Sequence, residues 1–231
     1  FVVITGDLQG KVMTEVQPMK MAAAEASWDT EAPASFSILT IGNLDGTEEV
    51  FSIRIPYLLS FLAHGNFTGQ VEGINDLEKL YAEKYGDIAD VPAFHPNIPV
   101  AYWSFRLMIG LGMASLAVGA WLLWVTRGER TPKGRWTWLM IVLPLLPLFA
   151  NSFGWIFTEM GRQPWIVFGL MPTQAGVSVA TTAVDVIISL AAFTAIYTVL
   201  AIIEVRLMLT WIRKGLDDAP PPEVLAEDEP L

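Results

Sequence analysis

Cysteine is absent from the 231 residues, which excludes disulfides, zinc–thiolate centres and cysteine nucleophiles. Histidine is scarce, with only His64 and His95. Basic residues are also few: 14 Lys and Arg stand against 24 Asp and Glu, a net charge of −10. An acidic balance of this kind argues against nucleic acid as a partner. The chain opens on Phe1-Val-Val-Ile-Thr-Gly-Asp7, with neither an initiator Met nor a basic n-region, so this opening is not a signal peptide. It reads as the last turn or two of a helix that begins upstream.

What the chain has in excess is apolar surface, and it is unevenly spread. Hydrophobic residues make up 53% with a mean hydropathy of +0.45. Residues up to about Asn97 are mixed and acidic, whereas Ile98 to Ile212 is almost wholly apolar. Nine Trp suit a membrane protein, where indole rings favour the interface. A bilayer crossing needs roughly 20 apolar residues at about 1.5 Å each, and three stretches qualify. The pattern predicts an all-α, polytopic transmembrane helix bundle, with three full spans, the end of a fourth, and a large extracytoplasmic loop. The expected order is a helix end at 1–6, the loop at 7–97, and a span at 98–126. A cytoplasmic loop follows at 127–135, then a span at 136–160, an outer loop at 161–176, a span at 177–212 and an acidic cytoplasmic tail at 213–231. Pro144 and Pro147 interrupt the second span, which membrane helices tolerate.

Orientation follows from the basic residues. Arg127, Arg130, Lys133 and Arg135 crowd the first connection, and Arg206, Arg213 and Lys214 the end of the third span. The second connection holds only Arg162. The positive-inside rule puts the first connection and the C-terminus in the cytoplasm, so the long loop lies outside. Within it, Thr14–Trp28 is rich in helix formers, and Ile53–Leu62 is apolar enough to lie against the membrane face. Asp76–Tyr85 reads as an amphipathic helix with Leu77 and Leu80 inward.

Ionisable groups inside a span are costly and call for a partner or a task. Arg106 and Met108 lie in Trp103-Ser-Phe-Arg-Leu-Met108. Arg106 could simply snorkel to the headgroups; alternatively Met108 is a thioether ligand to a haem iron and Arg106 meets a propionate. Glu159, three residues before Arg162, suits an interfacial ion pair, a metal ligand or a proton carrier. Asp185 and Glu204 could lie on a proton path; the simpler readings are helix–helix hydrogen bonding for Asp185 and an ion pair of Glu204 with an arginine at the cytoplasmic end. Lys20 and Glu25, in Gln17-Pro-Met-Lys-Met-Ala-Ala-Ala-Glu-Ala-Ser-Trp28, could supply a donor to one oxygen of a bound quinol and an acceptor for its hydroxyl proton, or sit on a solvated amphipathic helix.

Together these segments resemble subunit I of the cytochrome bd-type quinol oxidases. The matching pieces are Gly6-Asp7, the Gln17–Trp28 run, Ile55-Pro-Tyr57, Phe105-Arg-Leu-Met108, Gly161-Arg-Gln-Pro-Trp165, and Glu204-Val-Arg-Leu-Met208 followed by Arg213-Lys-Gly215. They fall in family order. The resemblance implies that Met108 ligates a low-spin haem b with Arg106 beside it, and that Glu159 ligates a high-spin haem b. It also implies that Trp155 lies near the high-spin haem pair with Arg162 as a charge partner, and that Lys20 and Glu25 act in quinol oxidation. The implied cofactors are the two b haems and a haem d, or a b haem in its place. The implied partners are the N-terminal half of the same subunit, a second membrane subunit, quinol, oxygen and the lipid bilayer, in a bacterial cytoplasmic membrane. The implied activity is quinol oxidation outside and oxygen reduction to water, building a proton gradient without pumping. The histidine ligands of the family lie in its N-terminal half, and His64 and His95 match none of them. A non-redox transporter or scaffold, or a quinone-binding anchor, are the alternative readings.

Overall fold

The computed structural model describes residues 2–43, 48–86, 91–127 and 134–214. Arg130, Lys133 and residues 215–231 of the acidic tail therefore lie outside the described residues. Two compact units divide at Gly176 and Val177.

In the first unit, helix α1 (Val2–Val16) continues ten residues past the expected end at residue 6. It stops where Pro18 follows Gln17. Helix α2 (Pro18–Glu25) begins on that proline, whose fixed φ suits a first turn. It ends at Ala26, which takes a left-handed conformation (φ 48°, ψ 50°) and turns its N–H back to Ala22 and Ala23 carbonyls. The strand pair β1 (Phe36–Gly42) and β2 (Glu49–Ile55) is antiparallel, with Ser37 opposite Arg54, Leu39 opposite Ile53, Thr40 opposite Ser52, and Ile41 opposite Phe51. These strands and the short pair β3 (Trp165–Val167) and β4 (Met171–Pro172) add sheet to a mostly helical chain.

Helix α3 (Leu58–His64) buries Leu59, Ser60 and Ala63. The apolar run ahead of it keeps Ile53, Ile55 and Tyr57 exposed, and Phe61 and Leu62 are exposed too. Helix α4 (Ile74–Tyr85) buries Ile74, Leu77 and Tyr81. Leu80, expected inward, is exposed, because the i, i+3, i+7 stripe runs through Tyr81 instead. Gly73 before it admits no side chain: a Cβ would stand 2.3 Å from the Asp29 carbonyl carbon. The strap from Ser27 crosses at that point, its Ser27 and Trp28 carbonyls accepting from Ile74 and Asn75 N–H groups.

Helix α5 (Ile98–Val125) opens with Asn97 accepting from the Val100 N–H, a side-chain cap of the usual kind. The second span is broken into α6 (Thr137–Val142) and α7 (Leu145–Met160) around Leu143-Pro144. Helix α7 packs along α5, with Phe105 and Phe157 rings 4.8 Å apart. The core lies where α2, α4, the start of α5 and Trp165 meet, with Ala22, Ala23, Ala24 and Ala101 wholly buried. Their small side chains let α2 approach its neighbours closely.

The second unit contains helix α8 (Ala183–Lys214). Asp185, read as an intramembrane acid that bonds to another helix, belongs to its first turn instead. It accepts from the Thr182 N–H and hydroxyl, and its own N–H donates to Thr182 Oγ1, a reciprocal cap. Glu204 forms no ion pair among the described residues. Three helices are long and apolar enough to cross a membrane, at Ile98–Val125, Trp138–Met160 and Ala183–Lys214.

Candidate functional site

Glu25 is the last helical residue of α2, and its carboxylate is the centre of the site. Arg106 Nη2 on α5 donates to Glu25 Oε2 at 2.6 Å, and the Ser37 N–H on β1 donates to the same oxygen at 3.1 Å. The pair is removed from water, with the Glu25 and Arg106 side chains 1% and 10% exposed. The rings of Phe36, Tyr102 and Phe105 surround the guanidinium at 4.7, 4.9 and 5.3 Å, a cage that favours a desolvated cation. Arg106 Nε and Nη1 are buried and have no partner among the described residues. Buried donors are rarely left unmet, so the geometry calls for an acceptor beyond these residues.

Burial pushes the Glu25 carboxyl above the usual carboxylate range. Arg106, the Ser37 N–H and, more weakly, Arg54 pull it back without overcoming burial. Arg54 on β2 also ties the strand pair down, donating to the Ala26 carbonyl and to Glu49. Beside the pair runs a second buried set. The Thr40 N–H donates to Tyr102 Oη at 2.6 Å, Tyr102 Oη lies 2.8 Å from Ser37 Oγ, and Ser37 Oγ lies 2.6 Å from Thr40 Oγ1.

Lys20 does not meet Glu25; it faces the end of α7. Its Nζ lies 3.5 Å from the Thr158 carbonyl oxygen and 5.0 Å from the Phe157 ring centroid. Its chain packs on Gly161, where a Cβ would stand 3.1 Å from Lys20 Cε. Burial holds the Lys20 ammonium below its ordinary value, Arg162 adds to that, and Glu159 opposes it. Arg162 Nη2 donates to Glu159 Oε2 in a half-exposed ion pair. A cavity of about 50 Å³ lies between Gln17, Lys20, Arg162, Gln163 and Trp165. That is room for a few waters.

Met108 sits on α5 two residues beyond Arg106, against α7. Its sulfur lies 2.9 Å from where a Cβ on Gly154 would be, so glycine there is what lets the thioether lie across the helix. Trp155 is exposed.

The sequence-predicted residues thus fall into two groups. Glu25 and Arg106 form one, with Met108 two residues along α5; Lys20, Glu159 and Arg162 form the other. Tyr102, Ser37, Thr40 and Arg54 were missed by sequence reasoning. Their signal was faint: polar residues at Ser37, Thr40, Ser52 and Arg54 within otherwise apolar strands, facing inward.

Residues 1–216 match the family described as cytochrome bd terminal oxidase subunit I. The chain is 36% identical over 216 residues to cytochrome bd ubiquinol oxidase subunit 1 of Bacillus subtilis (strain 168), covering 93% of this chain and 45% of that protein. It is 29% identical to cytochrome bd-II ubiquinol oxidase subunit 1 of Escherichia coli (strain K12), covering 91% of this chain and 51% of that protein. A solved bd oxidase structure from Geobacillus thermodenitrificans superposes with a TM-score of 0.71 at 30% identity, over 92% of this chain and 46% of that one. The chain therefore spans about half the length of these relatives. On the extent of these matches, the chain belongs to the cytochrome bd terminal oxidase subunit I family.

Proposed function

We propose that this chain forms part of a membrane quinol:oxygen oxidoreductase, in which quinol is oxidised on the outer side of a bacterial cytoplasmic membrane and oxygen is reduced to water. The relatives named as ubiquinol oxidases support the reaction class. The observation in the chain itself that carries the reading is the buried Glu25–Arg106 pair with two guanidinium donors unmet, on the same helix as Met108 two residues on.

The donor set suits haem. Met108 offers a soft thioether, a ligand that raises the potential of haem iron, and Gly154 leaves its sulfur room. Arg106 Nε and Nη1 suit a carboxylate such as a haem propionate. Glu159 offers a carboxylate for a second b haem, with Trp155 one turn before it on α7. Bound haem, of b type at these two positions and of d or b type at the oxygen site, would supply the one-electron chemistry between quinol and oxygen. His64 and His95 lie outside the three span-length helices, bonded to the Gln70 and Pro96 carbonyls, and the family resemblance assigns the remaining iron ligands to the N-terminal half of the subunit. A second membrane subunit completes the enzyme.

The chain's own residues bind and move protons. Glu25, with its carboxyl held above the usual range by burial, accepts a quinol hydroxyl proton. Before that transfer Arg106 holds the residue as a carboxylate, the form able to take the proton. Lys20, at the end of α7, offers its ammonium as a hydrogen-bond donor to a quinol oxygen. With residues 7–97 outside, the released proton adds to the gradient without pumping.

The test is a reduced-minus-oxidised visible spectrum of the intact oxidase complex, wild type beside Met108→Ala. Low-spin b absorbance should be present in the wild type and lost selectively in the variant. A wild type without haem would overturn the oxidase reading and favour a transporter or scaffold.

A further inference from the structure

We propose that Tyr102 is a positioning residue for quinol oxidation: its hydroxyl fixes strand β1, and through Ser37 fixes the orientation of the Glu25 carboxylate. This rests on the reading of Glu25 as proton acceptor.

The argument is a closed circuit of contacts. Tyr102 and Arg106 are four residues apart on α5, hence on one face of that helix. Arg106 holds Glu25 Oε2 directly. Tyr102 holds β1 at two points, the Thr40 N–H and Ser37 Oγ. The same Ser37 presents its N–H to Glu25 Oε2. Thus α5 grips the carboxylate twice, once by charge and once through the strand. Because Thr40 N–H donates to Tyr102 Oη, the phenol proton is available to Ser37 Oγ, and the Ser37 proton to Thr40 Oγ1. Glu25, Ser37, Thr40 and Tyr102 are all at most 2% exposed, so no water replaces a lost contact cheaply.

A phenol is not needed merely to fill this space, since phenylalanine has nearly the same volume. What the hydroxyl adds is register: it fixes where Ser37 N–H points. The charged groups facing Glu25 are Arg106 from α5 and Arg54 from β2, while β1 contributes the Ser37 N–H. That N–H donates to the charged form, so weakening it disfavours the carboxylate.

The experiment measures steady-state quinol oxidation against pH in the intact complex for wild type, Tyr102→Phe, Ser37→Ala and Glu25→Gln, per spectroscopically counted haem. Tyr102→Phe should lower kcat about fivefold to tenfold, the scale of one misdirected buried hydrogen bond, with KM changed less than about twofold. Its acid limb should move to higher pH. Ser37→Ala removes the same hydroxyl link from the strand side and should do likewise, which keeps the idea testable if Tyr102→Phe does not assemble. A residue of purely structural importance would lower thermal stability and leave kcat per haem and the pH limb unchanged; that result overturns the proposal. If Glu25→Gln keeps the wild-type acid limb, the underlying reading of Glu25 has failed instead. If Glu25→Gln loses the limb while Tyr102→Phe and Ser37→Ala retain wild-type profiles, the positioning role alone is refuted.

Discussion

Arg106 and Glu25 stand 81 positions apart in the chain and 2.6 Å apart in space, across the junction of a membrane-spanning helix and the segment that precedes it. Each is the only side chain that neutralises the other at that distance among the described residues. Removing one partner of such a pair strands a buried charge and costs about 3–5 kcal/mol, whereas removing both is far milder. Arg106→Leu should therefore lower the thermal midpoint of the intact complex more than the double variant Glu25→Gln/Arg106→Leu does. Additive losses in a double-mutant cycle would show that the two residues are energetically independent.

The raised Glu25 carboxyl gives a pH dependence with a definite sign. Below its folded-state value Glu25 is neutral and cannot take a proton, so quinol oxidation should fall as pH drops through a midpoint above that of an ordinary glutamate. For stability the sign is opposite: a raised carboxyl contributes fully below its unfolded value, and that contribution is lost as pH rises through the folded one. Glu25→Gln should remove the acid limb of the rate profile and flatten the stability slope over the same window. Profiles superimposable on wild type in both measurements would rule out this titration.

Gly154 should behave as part of the Met108 environment. A methyl group there would come within 2.9 Å of the Met108 sulfur, while one at Gly110 on α5 meets nothing within 4 Å. Gly154→Ala should shift the low-spin b absorbance band or its midpoint potential, and Gly110→Ala should leave both in place. Equal effects of the two variants would argue that the sulfur does not sense α7.

Leu77 and Leu80 separate core from surface on one helix. Leu77 is 1% exposed and Leu80 48%. Leu77→Ala should destabilise the segment by about 2–5 kcal/mol, and Leu80→Ala by about 0.5 kcal/mol or less. Limited proteolysis of the assembled complex should then cut the Leu77 variant much faster. Similar rates for both would show that α4 is anchored some other way.

The membrane-spanning helices were legible because an apolar run of that length has few alternatives. The end of α1 was not. The helix end was expected at residue 6, but a helical glycine such as Gly6 costs only about 1 kcal/mol, and the chain breaks at Gln17-Pro18 instead. On α4 the period was read one residue short: Leu77 with Leu80 fits a helix face, but Tyr81 faces Phe94 and Phe168 in an aromatic cluster that only tertiary structure assembles. The family motifs marked Lys20, Glu25 and Arg106 as special. Spacing along one helix suggested joining Lys20 to Glu25, and it cannot say that Glu25 turns to α5 while Lys20 turns to α7. The strand pair was hidden for a related reason. Ser37, Thr40, Ser52 and Arg54 point inward while Ile38, Ile41, Phe51, Ile53 and Ile55 are exposed, the reverse of the usual signal.

The interruption at Leu143-Pro144 leaves α7 as a rod separate from α6. Pro144 and Pro147 offer no N–H to the preceding turn, so bending is cheap around that point of the span. It is α7, not α6, that lies along α5 and brings Gly154 against Met108. The position of Gly154 against the Met108 sulfur is thus set by the contact of α7 with α5, on the far side of the joint from α6.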